Sequence, residues 1–152
     1  MSSPASGAAS ADGSALPARG RLRPYVEIAR IDHWFKNAFM ALGVLLAFFY
    51  RPELFVGSSM VTLLGALLLT CLVASSNYVL NELLDAPLDR EHPTKRLRPA
   101  ASGEVNPTAA ILLWGILGFI GIAGAFALNA PFGISALGLW VMGCIYNIPP
   151  VR

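Results

Sequence analysis

The stretch SSNYVLNELLDAPLDREHPTKRLRPAASG, residues Ser75 to Gly103, is the most informative part of the sequence, because its charges directly follow twenty residues, 55–74, that carry none. Acidic side chains come first in this stretch, and a group of basic side chains follows them directly. Charges that only solvate a surface are usually mixed in sign along the chain. The sorting therefore predicts an apolar helix that ends in a charged site at the edge of a membrane.

The composition of the rest of the chain favours an integral membrane protein. Only 13% of the 152 residues are charged, whereas soluble domains carry about 25%. A second uncharged stretch, 105–151, would form about 70 Å of helix, enough to cross a hydrocarbon core of roughly 30 Å twice. We therefore predict an all-α, polytopic bundle of transmembrane helices, and no nucleic acid as a partner.

Prolines, turns and single charges divide the apolar sequence into four predicted membrane helices. These helices are residues 33–50, 54–85, 108–128 and 131–148. Residues 1–24, rich in Ser, Ala, Gly and Pro, are predicted to be a disordered tail that precedes a membrane domain at 25–152. Glycines recur every three residues in the third helix, which predicts close helix packing at Gly115, Gly118, Gly121 and Gly124.

Basic residues predict the orientation of the bundle, because lysine and arginine remain on the cytoplasmic side. They are concentrated before the first helix and in the loop 86–107, whereas the opposite side has only Arg51. The N-terminus, this loop and Arg152 are therefore predicted to be cytoplasmic, in a multi-pass protein of the plasma or inner membrane.

Polar side chains spaced by four mark the end of the second helix, at Asn77, Asn81 and Asp85. Residues four apart lie above one another on a helix, so these three are expected to form one stripe. Pro87 is expected to end the helix, which would place Asp89 and Glu91 in a loop that turns back over the stripe. Carboxylate and amide oxygens suit a hard cation, which predicts Mg²⁺ at Asn81, Asp85 and Asp89. The alternative is that these groups only solvate the helix end.

Two groups of bases could bind the phosphates of a substrate beside such a metal. Lys95, Arg96 and Arg98 follow the acids, and cations next to a bound Mg²⁺ form a clamp for a polyphosphate. Lys36 and Asn37 begin the first helix on the same side. The alternatives are that the loop bases only fix the topology and that Lys36 extends toward the interface. His92 is interpreted as a structural or substrate contact, since a metal site rarely rests on one loop histidine.

The sequence NELLDAPLD resembles the first aspartate-rich motif, NDxxDxxxD, of the UbiA family of intramembrane transferases. The match aligns Asn81, Asp85 and Asp89 with the motif, and Glu82 departs from it by replacing an aspartate. Two further segments are similar to the family: the RP…SG pattern from Arg98 to Gly103, and YNIPPVR at the end of the chain. The segments DREHPTKRLRP and HWFKN resemble the polyprenyl-phosphate phosphoribosyltransferase branch.

The resemblance implies about nine membrane helices, two aspartate motifs facing one cavity, and Mg²⁺ that holds a diphosphate between them. Asn81, Asp85 and Asp89 would then be catalytic, and Lys36, Asn37, Asn77, Lys95, Arg96 and Arg98 would bind substrate. The lipid would be a polyprenyl phosphate or diphosphate. Its reaction partner would be phosphoribosyl diphosphate in one branch and an aromatic acceptor in the others, and the sequence leaves both open.

The chain contains one aspartate motif, and Glu104 is the only acid after Glu91. We therefore expect it to be the N-terminal half of a longer transferase. One alternative is a non-catalytic membrane subunit that binds anionic lipid head groups through Arg90, Lys95, Arg96 and Arg98. Another is part of a transporter, which the apolar centres of the predicted helices disfavour.

Overall fold

All regular structure that the computed structural model describes is helical, over residues 21–37, 39–54 and 56–148. Seven α-helices follow one another: α1 Arg23–Ile28, α2 Trp34–Asn37, α3 Met40–Tyr50, α4 Gly57–Asp89, α5 Pro99–Ser102, α6 Pro107–Leu128 and α7 Ala130–Tyr146. Short 3₁₀ helices lie at Ile31–His33, Pro52–Leu54 and Lys95–Leu97. The prediction of an all-α fold is confirmed. The predicted tail falls almost entirely outside the described residues, as do residues 149–152.

Among the residues that the structure describes, two helices are long and apolar enough to cross a membrane. Helix α4 has 33 residues and α6 has 22, so they extend about 50 Å and about 33 Å. The shorter apolar helix α7 packs against both of them. Large apolar side chains such as Leu64, Phe119 and Met142 are exposed on the outside of the bundle, as expected for a surface that contacts lipid.

The first predicted helix, 33–50, is divided in the structure. A 3₁₀ turn, helix α2 and the 11-residue helix α3 take its place, and residue 38 is not described. The polar groups of the HWFKN segment bind α4 from the side. The indole N–H of Trp34 donates to Ser75 Oγ at 2.9 Å, and Asn37 Nδ2 donates to Cys71 Sγ at 3.2 Å. These contacts hold α2 against the side of α4. Only the 11 residues of α3 then remain of the predicted helix, and they are too few to span a bilayer.

The prediction that Pro87 ends the second helix is wrong. Helix α4 continues through Pro87 to Asp89, and the N–H of Arg90 still donates to the carbonyl of Ala86. A proline removes one backbone hydrogen bond, which a long helix can lose near its end when its side chains are held by neighbours. Asp89 is therefore presented by the helix itself and not by a returning loop.

Small residues allow α4 and α6 to approach closely. A Cβ atom at Gly121 would lie 2.7 Å from Val73 Cγ2 and 3.1 Å from the carbonyl oxygen of Leu69, both on α4. Gly118 and Gly124 are similarly close to neighbouring side chains, whereas a Cβ atom at Gly115 would meet open space. The packing role is thus confirmed at three positions of the repeat and is absent at the first.

This difference supplies a matched test of helix packing. We expect Gly121→Ala to lower the free energy of unfolding by about 1–3 kcal/mol, because the methyl group meets backbone atoms of α4 that cannot rotate away. Gly115→Ala should leave stability unchanged or raise it slightly, because alanine is the better helix former. Thermal unfolding in detergent measures both, and equal effects at the two positions would contradict this packing.

Candidate functional site

The C-terminal end of α4, for which the sequence predicts a cytoplasmic location, carries three buried carboxylates. Glu82, Asp85 and Asp89 expose only 6%, 8% and 5% of their surfaces. At 100° per residue these three positions fall within a narrow arc of the helix, and α1 and α5 pack against this end of α4. Leu84 and Leu88, on other faces, are exposed. The acidic face is therefore directed into the protein and not toward lipid.

Asn81 lies at the edge of this face and contacts one of the acids. Its side-chain Nδ2 donates to Asp85 Oδ2 at 3.2 Å. Amide and carboxylate are thus adjacent, as the spacing by four predicted.

Asn77 is directed elsewhere. Its Nδ2 donates to the carbonyl oxygen of Leu139 on α7 at 3.2 Å, and Gly143 provides the space for its amide group. Residues four apart on a helix are offset by about 40°, so Asn77 and Asp89 point about 120° apart. The predicted stripe therefore does not stay on one face of the helix. Asn77 points away from the carboxylates and forms a contact between α4 and α7. Its role in substrate binding stays a prediction.

The basic segment folds back onto the acids through one arginine. Arg98 Nη1 donates to Asp89 Oδ2 at 2.7 Å, an ion pair whose carboxylate is buried. Pro99 begins the short helix α5 directly after Arg98, and Gly103, at φ +83°, ends it in a left-handed conformation. The predicted proximity of acidic and basic side chains is thus observed for Asp89 and Arg98.

Lys95 and Arg96 lie in the exposed 3₁₀ turn that precedes Arg98. His92 organises this turn, because its Nδ1 accepts from the backbone N–H groups of Thr94 and Lys95, each at 3.3 Å. The structural interpretation of His92 is therefore the one that the contacts support. The predicted substrate contacts of Lys95 and Arg96 are untested.

The predicted substrate residues of α2 lie apart from the carboxylates. Asn37 contacts Cys71, which precedes Asp85 on α4 by about 21 Å of helix. Lys36, next to it, is exposed. The structure does not bring Asn37 together with Asp85, and a role for Lys36 or Asn37 in phosphate binding stays a prediction.

A polar cleft of about 280 Å³ adjoins the acidic face. Its lining is mostly charged: Glu27, Arg30, Asp32, Glu82, Arg98 and Pro99. No motif in the sequence predicts Glu27, Arg30 or Asp32 as site residues, and the departure of Glu82 from the aspartate motif leaves its role open. The sequence offers one signal for these three residues: they lie directly before an apolar segment, where charged side chains can line the end of a membrane helix.

Arg30 has an unusual backbone conformation, with φ +50° and ψ +48°. The left-handed region is rare for residues other than glycine, asparagine and aspartate. The side chain is held at two points. Its guanidinium lies 5.7 Å from the centre of the Tyr78 ring, and its Nη2 lies 3.2 Å from His33 Nε2. Arg30 thus reaches the cleft from the turn between α1 and α2.

The donor chemistry of this site fits a hard cation in part. Asn81, Asp85 and Asp89 supply one amide and two carboxylates, and Mg²⁺ commonly takes one or two protein carboxylates and completes its shell with phosphate and water. Within the described ranges no group of three or more His, Cys, Asp or Glu side chains is close enough to hold a metal. Substrate oxygens or residues beyond these ranges would therefore have to complete the shell.

Comparison with known proteins relates this arrangement to one family. The model of the UbiA prenyltransferase family matches residues 37–151. Nodulation protein NoeC of Azorhizobium caulinodans is 37% identical over 105 residues, which cover 69% of this chain and 32% of that protein. Decaprenyl-phosphate phosphoribosyltransferase of Mycolicibacterium smegmatis is 31% identical over 121 residues, or 80% of this chain and 38% of that protein. The chain thus spans about a third of the length of these relatives.

Proposed function

The chain belongs to the UbiA prenyltransferase family, and from this we propose that it forms one side of the active site of a membrane-embedded transferase. The reaction would release diphosphate. It would either attach a phosphoribosyl group to a polyprenyl phosphate or transfer the prenyl group of a polyprenyl diphosphate to an acceptor. One observation carries the proposal: Arg98, which lines the charged cleft, donates to buried Asp89, and Asp85 is buried one turn earlier on the same face of α4. Residues 25–152 would be the N-terminal part of the transferase domain.

Phosphoribosyl transfer to a polyprenyl phosphate is the preferred reaction. It is supported by the name of the mycobacterial relative and by the polar cleft, whose charged lining suits a sugar phosphate better than an aromatic ring. The family's description as prenyltransferases supports the second candidate, in which a polyprenyl diphosphate alkylates an aromatic acceptor. Both reactions expel diphosphate, so the same acids and bases would serve either.

Each part of the site has a distinct task in this proposal. Asn81, Asp85 and Asp89 would hold Mg²⁺, which supplies positive charge to the diphosphate as it departs. Arg98 would bind phosphate oxygens at the mouth of the cleft, and exposed Lys95 and Arg96 would attract the anionic substrate from solution. Burial of the carboxylates keeps water away from them, which strengthens their electrostatic interactions.

We further propose that the protein crosses the plasma or inner membrane several times and that the charged end of α4 faces the cytoplasm. The support is the distribution of bases: Arg90, Lys95 and Arg96 are exposed near this end, and Arg51 lies at the other. Water-soluble phosphoribosyl diphosphate would then enter from the cytoplasm, and the lipid would enter from the bilayer.

A reconstitution experiment tests the function. The longer transferase of which this chain is proposed to form the N-terminal part would be reconstituted in lipid vesicles. It would receive phosphoribosyl diphosphate with a polyprenyl phosphate, and separately a polyprenyl diphosphate with an aromatic acceptor. We expect Mg²⁺-dependent diphosphate release and a lipid-linked ribose phosphate with the first pair. Product from the second pair alone would favour prenyl transfer. If neither pair reacts and the protein still binds anionic lipid head groups, the result would favour the non-catalytic subunit.

A further inference from the structure

The two arginines that line the polar cleft are held in different ways. Arg98 forms an ion pair with Asp89 at 2.7 Å, so part of its charge is already neutralised. Among the described residues no carboxylate forms an ion pair with Arg30, although Glu82 lines the same cleft. The guanidinium group of Arg30 is therefore the one of the two whose charge is more available to a ligand.

Aromatic side chains hold Arg30 in place of a carboxylate. Its guanidinium carbon lies 5.7 Å from the centre of the Tyr78 ring, within the range of about 6 Å for a cation–π interaction. Its Nη2 lies 3.2 Å from His33 Nε2, and the imidazole nitrogen is the acceptor because a guanidinium group can only donate. Asp32 Oδ2 lies 3.4 Å from the same nitrogen, which is longer than a normal hydrogen bond. These contacts fix the guanidinium group without neutralising it.

The Tyr78 ring and the turn that carries Arg30 are fixed against each other. The His33 ring packs edge-on against Tyr78, with 5.5 Å between the ring centres and 78° between the ring planes. The next residue, Trp34, donates to Ser75 Oγ on α4 at 2.9 Å. The turn is thus joined to α4 at neighbouring points, and these contacts stabilise the left-handed conformation of Arg30.

Tyr78 lies on the face of α4 that carries the buried acids. Asp85 and Asp89 follow it by seven and eleven positions, so at 100° per residue both point within about 20° of its direction. Asp85 lies about 10 Å further along the helix axis. Tyr78 therefore directs Arg30 to the side of α4 at which the proposed reaction takes place.

We infer that Tyr78 is a positioning residue, which together with His33 holds the Arg30 guanidinium group in the cleft as a preoriented contact for a phosphate group of the substrate. An unrestrained arginine loses rotamer freedom when it binds a ligand, and this loss weakens binding. Arg30 has lost that freedom on folding, so binding no longer carries the cost. The inference rests on the proposed function for the identity of the substrate.

The test measures binding and needs no turnover. Inorganic diphosphate would be titrated into the full-length transferase in detergent, at a fixed Mg²⁺ concentration, and binding would be followed by calorimetry. We expect Tyr78→Leu, which removes the ring, to weaken binding about fivefold, the effect of having to order one long side chain. Arg30→Gln should weaken binding at least as much, because it removes the contact itself.

Matched variants separate positioning from a general effect on the fold. Tyr78→Phe keeps the ring face and should retain the wild-type affinity, and Tyr50→Leu removes an exposed tyrosine of α3 and should also change nothing. Adding Tyr78→Leu to Arg30→Gln should cause no further loss, because the ring acts only through the arginine. His33→Leu removes the second contact and should weaken binding about threefold.

The outcomes that would overturn the inference are distinct from a failure of the proposed function. They are wild-type affinity in a folded Tyr78→Leu or Arg30→Gln protein, a loss that adds fully in the double variant, and absence of diphosphate binding by the wild type. If Tyr78→Leu does not fold, unchanged affinity of His33→Leu would overturn it. Absence of turnover with every substrate pair, with the expected affinity changes, would refute the proposed function alone.

Discussion

Replacing Asp85 by alanine is expected to reduce the turnover number for diphosphate release by about 10²- to 10³-fold or more, the loss typical of removing one preorganised group that stabilises developing charge. Asp85 is 8% exposed, lies on the inward face of α4 and accepts from Asn81 Nδ2. If it binds Mg²⁺, its loss should also raise the Mg²⁺ concentration needed for half-maximal activity. The measurement is diphosphate release by the reconstituted protein over a range of Mg²⁺ concentrations.

Two variants control for the fold and for charge. Asp85→Asn keeps the shape and an oxygen acceptor for Asn81, and it should lose activity nearly as fully as the alanine variant while unfolding close to the wild-type temperature. Glu53→Ala removes an exposed carboxylate, paired with Arg51, at the far end of the bundle and should retain activity. Wild-type turnover by Asp85→Asn would remove Asp85 from the reaction.

Replacing Arg98 by alanine is expected to impair both stability and substrate binding. The change leaves the buried carboxylate of Asp89 without the charge-assisted hydrogen bond that it now accepts at 2.7 Å. Such bonds contribute about 1.5–3 kcal/mol, so the free energy of unfolding should fall by about 2 kcal/mol. The Michaelis constant for the diphosphate substrate should rise at least about tenfold, since a close phosphate contact is lost.

A double-mutant cycle separates these effects. Arg98→Ala and Asp89→Ala should each destabilise the protein, and the double variant should be less destabilised than their sum, by about 1–3 kcal/mol. Arg96→Ala removes an exposed arginine two positions away and should change stability by less than about 0.5 kcal/mol. Additive effects of the two substitutions in thermal unfolding would mean that the ion pair contributes nothing to the folded state.

The composition of the site is easier to predict from the sequence than its arrangement. The spacing and sign of the charges predict Asn81, Asp85, Asp89 and Arg98, and the structure brings them to one end of α4. The sequence places Asp89 in a loop, because a proline in a helix is unfavourable in isolation. The length of α4 and the contacts of its last turn outweigh that cost. Arg30 was missed because no pattern in the sequence predicts a left-handed arginine.

The fold class follows from the sequence, because the backbone of a long uncharged stretch can satisfy its hydrogen bonds inside hydrocarbon as a helix. The charged end of α4 is likewise evident from the sequence. The neighbour that each polar side chain contacts, in contrast, depends on how the helices pack. Asn77 and Asn81 follow the same spacing, yet α7 covers the first and Asp85 accepts from the second. Helical periodicity fixes the direction of a side chain around its own axis, whereas long-range packing decides what lies in that direction.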